Sequence, residues 1–165
     1  MDWRQAAGAE FEAEMAGTRP FLERVPMERA EYEVFPGAMK LGALASLVAR
    51  LAGFTGLVMR TDEVDFAQTD PSLWRTAVTG EELLAIFDEG WSSSRAALAE
   101  VADEALGQPW TLRSGETTYF RAPRWEAHER LSLNHLIHHR AQLGVYLRAL
   151  GLAHPAIYGP SAHEK

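Results

Sequence analysis

The fold of this chain is decided by the stretch Asn134-His135-Leu136-Ile137-His138-His139-Arg140-Ala141-Gln142-Leu143, which holds three of the protein's six histidines. Residues four apart share one face of a helix, with β-carbons about 5–6 Å apart, so His135 and His139 can present two imidazoles to one point. We call these two residues the histidine pair. Such a pair can chelate zinc, nickel, copper or iron, although a site normally supplies three or four protein ligands. Neutral histidines bonded to neighbours in a core or pocket explain the same spacing.

Two further histidines, His138 and His128, are not expected to act as metal ligands. His138 points away from the line that joins the histidine pair, so it should meet solvent or another helix. His128 lies seven residues before His135, on roughly the same face, but its position between Glu126 and Glu129 favours a solvated side chain.

Composition limits the class of protein. A length of 165 residues with 47% apolar content predicts one domain, residues 1–165, with a sizeable core. The absence of cysteine excludes disulfides and thiolate metal sites, and the net charge of -7 argues against a nucleic-acid partner. The N-terminus shows no signal region, and no apolar stretch approaches the ~20 residues that span a bilayer. We therefore expect a soluble, cytoplasmic protein with no membrane partner.

Apolar residues at helical spacing predict four helices. A capping box, Thr79-Gly80-Glu81-Glu82, marks the start of the third, because the Thr hydroxyl and the Glu carboxylate can each satisfy a backbone donor there. Gly107 and Pro109 should end that helix, and Pro20 is expected to kink or split the first. The predicted helices run from about Trp3 to Arg24, Leu41 to Val58, Gly80 to Leu106, and Arg124 to Ala149.

The chain changes character between the third and fourth helices. Two short segments, Trp110-Thr111-Leu112-Arg113 and Thr117-Thr118-Tyr119-Phe120, flank a Gly-containing turn, which is typical of a β-hairpin, although a loop fits as well. The polar stretch from Thr61 to Ser72 is a long connection of the kind that frames a pocket. We predict an all-α fold, a four-helix bundle with at most a short hairpin between its last two helices, and a tail, residues 151–165, lying on it as coil.

With these elements in place, the chain resembles the DinB-like bundle proteins, which include the YfiT-type metal-dependent hydrolases and the thiol-dependent transferases. The resemblance implies a bundle of DinB/YfiT type, a homodimer, a stress-related role and a divalent metal held by three histidines. It covers nearly the whole chain, and it is carried by Leu22-Glu23-Arg24-Val25-Pro26, Leu41-Gly42, the stretch Asn134 to Leu143, Tyr146-Leu147-Arg148 and Tyr158-Gly159-Pro160-Ser161.

One ligand of the family pattern is missing. The resemblance assigns two metal ligands to His135 and His139. The third family histidine lies in the second helix, in a pattern similar to Leu-Gly-x-Leu-Ala-Gly-His-Val-Ala. The corresponding segment here, Leu41 to Ala49, has Leu47 at the histidine position. We therefore expect zinc or nickel to bind weakly or not at all, unless a carboxylate such as Asp62, Glu63 or Asp65 completes the site.

Three functional hypotheses follow. In the first, the chain is a degenerate family member that binds a small apolar or amphipathic molecule in an inter-helical pocket. In the second, it is a metal-dependent hydrolase or thiol-dependent transferase that uses His135 and His139. In the third, it is a non-catalytic, dimeric interaction protein. The sequence leaves open whether the protein is an enzyme, and it identifies neither a catalytic residue nor a substrate.

Overall fold

Helices make up most of the computed structural model, which describes residues 3–160. Ser161 of the predicted tail motif lies outside that range. A π-helical segment, His128–Leu133, joins the last two helices into one continuous rod, and 3-10 turns occupy Met27–Arg29 and Pro71–Trp74. The helices are α1 (Trp3–Glu23), α2 (Leu41–Arg60), α3 (Gly80–Glu100), α4 (Asp103–Leu106), α5 (Arg124–Ala127) and α6 (Asn134–Ala149).

The helix boundaries follow the sequence closely, with two differences. Pro20 lies inside α1 without dividing it. The third predicted helix ends at Glu100, and the single turn α4 follows separately, because Val101 and Ala102 adopt extended backbone angles. The helical elements therefore outnumber the four that were predicted.

The prediction of an all-α fold is confirmed in part: most of the described residues are helical, but a three-stranded sheet lies beside the helices. The predicted hairpin forms from β2 (Pro109–Ser114) and β3 (Thr117–Pro123), which pair antiparallel around Gly115. Gly115 has a φ of 57°, a left-handed conformation that glycine adopts without penalty. A third strand, β1 (Glu63–Asp65), pairs parallel with β2 inside the stretch predicted as a loop. Its three residues are too few and too acidic to show a strand pattern.

α2 is the central helix of the core. The most apolar 18-residue window within its 20 residues has a mean hydropathy of 1.7. The helix is therefore long and apolar enough to cross a membrane, and the expectation that no apolar stretch approaches this length is wrong. However, 67% of that window is buried inside the protein, against α1, α3 and α6. This is the position of a core helix in a soluble protein, where an apolar sequence serves packing.

α2 and α3 approach each other backbone to backbone. A β-carbon placed on Gly53 would lie 3.3 Å from the α-carbon of Gly90, so only glycines permit this crossing. Beside it, the buried Ser94 hydroxyl donates to the Ala52 carbonyl at 2.6 Å and accepts from the Gly56 amide at 2.9 Å. At the start of α3, the Thr79 hydroxyl accepts from the Glu82 amide as the capping box requires.

A buried arginine, Arg124, connects the start of the continuous helix formed by α5, the π-helical segment and α6 to the C-terminal end of α2. Its Nη1 donates to the carbonyls of Val58 and Thr61, and its Nη2 lies 2.8 Å from the Asp62 carboxylate. The last carbonyls of a helix have no hydrogen-bond partner within the helix and form the negative end of its dipole. A cation such as arginine donates to these carbonyls and also stabilises the negative end of the dipole. Arg124 therefore fixes where α2 ends and where the sheet begins.

Candidate functional site

The histidine pair lies on one face of α6, with its ring centroids 4.7 Å apart. Both side chains are half-buried, so each imidazole has one side in the protein and one side open. His138 is exposed, as the helical spacing predicted, and its ring touches that of His139 at 4.9 Å. The arrangement brings three imidazoles within one helix turn but only two onto the shared face.

Gln142 orients two of these rings. Its Oε1 lies 2.8 Å from Nδ1 of His139, so this nitrogen donates and carries the proton. Its Nε2 donates to Nε2 of His138 at 3.1 Å. The hydrogen bond at Nδ1 leaves Nε2 of His139 as the nitrogen with a free electron pair, the arrangement found where a histidine binds a metal or accepts a proton.

The environment keeps the histidine pair neutral. Burial lowers the pKa of His135, the nearby His139 lowers it further, and a hydrogen bond to the Leu131 backbone opposes both. Burial also lowers the pKa of His139, and the bond from Gln142 partly offsets this effect. Neutral imidazoles are the form that donates an electron pair, so the pair is in its ligand-binding state at neutral pH.

The antiparallel register of α2 and α6 locates the missing ligand. At one end, the Ser132 hydroxyl donates to the Leu51 carbonyl at 3.4 Å, and at the other, the Tyr146 hydroxyl donates to the Met39 carbonyl at 2.5 Å. Leu47 lies between these two contacts along α2, at the level of the histidine pair along α6. Its half-buried side chain packs against the hydrophobic core. Hydrocarbon occupies the position from which the family pattern would supply a third imidazole.

No other donor takes that place. Within residues 3–160, no group of three His, Asp or Glu side chains is arranged to hold a metal ion. The carboxylates Asp62, Glu63 and Asp65 lie past the end of α2, about 20 Å along the helix from Leu47 at 1.5 Å per residue. They pair with arginines there, Asp62 with Arg124 and the other two with Arg113. These three carboxylates therefore do not complete the site, and no three-ligand metal centre fits residues 3–160 as the structure describes them.

His128 is the polar residue that sequence analysis placed wrongly. Its side chain is fully buried, not solvated. Its Nδ1 lies 3.1 Å from the Thr55 hydroxyl, which lies 2.6 Å from the Ser132 hydroxyl, and its ring packs edge-on against Trp3 at 5.7 Å. His128 is the first residue of the π-helical segment, and the two hydroxyls linked to it come from α2 and from the following turn.

A groove with a volume of about 670 Å³ lies away from the histidine pair, between α1 and α3. Neither member of the histidine pair lines it. Arg95 crosses its rim and binds the Glu12 carboxylate through two bonds of 2.7 and 2.6 Å. The groove is lined by Arg4, Gln5, Gly8, Phe11, Glu12, Arg95, Leu98 and Ala99.

These features define a helical-bundle protein that carries an imidazole pair on its last long helix. The DinB family profile matches residues 130–165, the segment that contains the pair. The matched segment and the fold are therefore both similar to those of the DinB family.

Solved structures of DinB-like proteins share this fold. A DinB-like protein from Bacillus cereus superposes with a TM-score of 0.70 and 19% identity over 93% of this chain and 97% of its own. One from Bacillus subtilis gives a TM-score of 0.68 and 17% identity over 93% and 96% of the two chains. A protein assigned to the DinB family from Exiguobacterium sibiricum gives 0.69 and 23% identity over 100% and 99%. A comparison with curated proteins found no significant match.

Proposed function

We propose that this DinB-like protein binds a small amphipathic molecule and works without a three-ligand metal centre. The observation that carries the proposal is Leu47, which lies at the level of the histidine pair and contributes hydrocarbon where a third ligand is needed. Two imidazoles alone leave a divalent metal dependent on water for its remaining ligands, which weakens binding.

The groove between α1 and α3 is the binding site in this proposal. Its volume of about 670 Å³ lies within the range of ~300–1,000 Å³ typical of ligand pockets. Phe11, Leu98 and Ala99 supply apolar walls, and the rim carries two arginines against one glutamate. A chain-like apolar body with one anionic end matches both features, since the body would cover the walls and the anion would compete with Asp103 and Glu12 for the two arginines.

A metal-dependent hydrolase or thiol-dependent transferase is the second candidate, and the Gln142 bond to His139 favours it. In that case His135 and His139 would hold zinc or nickel. The metal would act as a Lewis acid or lower the pKa of a bound water or thiol. The third candidate, a non-catalytic interaction protein, would work through its dimer face.

In each case we propose a cytoplasmic homodimer with a stress-related role and no nucleic-acid partner. The acidic net charge of -7 supports the last point.

Metal content separates the first two candidates. The protein is purified without a nickel column, its metal is measured, and zinc and nickel are titrated by calorimetry into the native protein and a His135→Ala variant. We expect little metal as purified and weak binding in the titration. Tight binding that His135→Ala abolishes would favour the metal-dependent candidate and overturn the proposal.

Groove binding is tested with dodecanoate as the probe. Gly8 lines the groove and has no neighbouring atom within 4 Å of a β-carbon, so Gly8→Leu should fill the groove without a clash. Gly80→Leu, at another uncrowded glycine outside the groove, is the matched control. We expect dodecanoate to raise the melting temperature of the native protein and the control, but not that of Gly8→Leu. An equal response in all three would place the binding elsewhere.

A further inference from the structure

The side chain of His128 is held in the core by a directional chain of hydrogen bonds. Its Nδ1 contacts Thr55, Thr55 contacts Ser132, and the Ser132 hydroxyl reaches the backbone carbonyl of Leu51, which can only accept. With Ser132 as the donor to that carbonyl, Thr55 donates to Ser132 and His128 donates to Thr55. This order places the imidazole proton on Nδ1 and leaves Nε2 as an acceptor.

Nε2 of His128 has no hydrogen-bond partner among the described residues. Two aromatic rings cover the imidazole instead, Trp3 at 5.7 Å and Phe11 at 6.5 Å. A buried polar atom without a partner costs free energy, and the cost rises steeply once the group becomes charged. The site tolerates a neutral imidazole and opposes an imidazolium.

We propose that His128 and Trp3 form an acid-responsive latch, in which protonation of His128 releases the first turn of α1 from the core. When Nε2 takes a proton, the imidazolium needs water or an anion at a point that Trp3 now covers. Trp3 lies at the first residue of α1, whereas Thr55 and Phe11 lie in the middle of their helices. Helix ends open at a lower free energy than helix centres, so Trp3 is the contact that gives way.

Among residues 3–160, no charged group offsets protonation of His128 in the closed state. The rings and hydroxyls that contact His128 are uncharged. On α1, Arg4 is ion-paired with Asp103, and Glu10 is exposed. On the rod itself, Glu126 is ion-paired with the arginine one turn on, and Glu129 is exposed. Burial alone lowers the pKa of His128 to about 4, from 6.5 in a solvated chain.

Opening of the latch would also alter one wall of the groove. Arg4 and Gln5 belong to the same first turn as Trp3, and both line the groove. Arg4 is held there by its bond to the Val101 carbonyl at 3.1 Å. Acid would therefore remove a wall and a positive charge together. This consequence rests on the proposed function, whereas the latch itself does not.

The test follows His128 by NMR in the native protein between pH 7 and pH 5. Ring nitrogen shifts report its tautomer and charge, and amide exchange protection factors report opening of α1. From pKa values of 6.5 and about 4, we expect the opening equilibrium of the first turn to increase ~20-fold over this range. Protection in the middle of α2 should fall far less. A His128 that titrates near 6.5 with α1 fully protected would overturn the proposal.

Two variants make the test specific. His128→Asn retains a donor for Thr55 but cannot take a proton in this range, so its first turn should keep its protection at pH 5. Trp3→Ala uncovers Nε2, so the pKa of His128 should rise toward its ordinary value while the Nδ1 proton stays in place. The latch is wrong if acid opens α1 equally in His128→Asn, or if Trp3→Ala leaves the pKa of His128 unchanged.

Discussion

Gly53 and Gly90 meet where α2 crosses α3, and a β-carbon on Gly90 would lie 2.7 Å from the Gly53 backbone nitrogen. No side-chain rotation can relieve such a contact, because both atoms belong to backbones. We expect Gly90→Ala to lower the free energy of unfolding by about 1–3 kcal/mol, the usual cost of overpacking, as measured by urea denaturation. Gly80→Ala, with no neighbour within 4 Å of its β-carbon, should be neutral or slightly stabilising. An equal loss in both variants would contradict the close crossing.

The buried imidazole of His128 should make global stability depend on pH. Its pKa is about 4 in the folded protein and 6.5 unfolded, so its contribution is complete above pH 6.5 and is lost as the pH falls toward 4. Linkage gives a loss of about 2 kcal/mol between pH 7 and pH 5. Urea denaturation at both pH values measures it. His128→Asn should show a smaller difference between the two, and an unchanged difference would assign the effect to other groups.

The tail is anchored by Tyr158, whose hydroxyl donates to the Glu14 carboxylate at 2.8 Å. That carboxylate also forms a buried ion pair of 2.7 Å with Arg140. We expect Tyr158→Phe to cost about 1–2 kcal/mol, because it removes the bond donated to the Glu14 carboxylate and the bond accepted from Arg140. Glu14→Gln should cost about 3–5 kcal/mol, because it leaves Arg140 buried without a counter-charge.

Chemical denaturation and limited proteolysis at the tail measure these effects. Tyr119→Phe, at an exposed tyrosine on β3, is the matched control and should change neither stability nor cleavage. Faster cleavage in Tyr158→Phe alone would confirm that the hydroxyl holds the tail on α1.

Leu47→His should give the histidine pair its third ligand. The added imidazole would lie at the level of His135 and His139. We expect zinc affinity to rise by about 100-fold or more, beyond the 10–100-fold effect of losing a residue that hydrogen-bonds to a metal ligand. Calorimetric titration measures the change. Leu57→His places an exposed histidine on the same helix, ten residues from Leu47 and away from the pair, and should add little. Equal gains in both variants would show that α2 and α6 do not meet as proposed.

The sequence predicted those features that depend on local spacing. The start of α3 at its capping box, the hairpin around Gly115 and the shared face of His135 and His139 each depend on residues a few positions apart. Such relations are set by helix and turn geometry, which the order of residues encodes directly. The resemblance to the DinB-like proteins extended this to the overall fold.

The features that sequence analysis missed depend on distant partners. β1 is a strand only because Thr111 to Arg113 pair with it, and nothing in Glu63–Asp65 indicates that partner. His128 stands between two glutamates in the sequence, yet it is buried against Thr55, which lies 73 positions earlier in the chain. Which side chains lie near the histidine pair likewise depends on the register between α2 and α6, and the sequence does not show that register.

The parallel pairing of β1 with β2 also constrains the order in which the chain can assemble. β1 directly follows α2, but its partner strand begins at Pro109, after the whole of α3. During synthesis, the segment after α2 therefore has no sheet partner until Thr111 to Arg113 emerge, and Arg124 reaches the end of α2 later still. The first hundred residues contain three long helices, α1, α2 and α3. Until β2 and Arg124 follow, the C-terminal end of α2 lacks its sheet and arginine contacts. The last third of the chain closes the structure that the first two thirds begin.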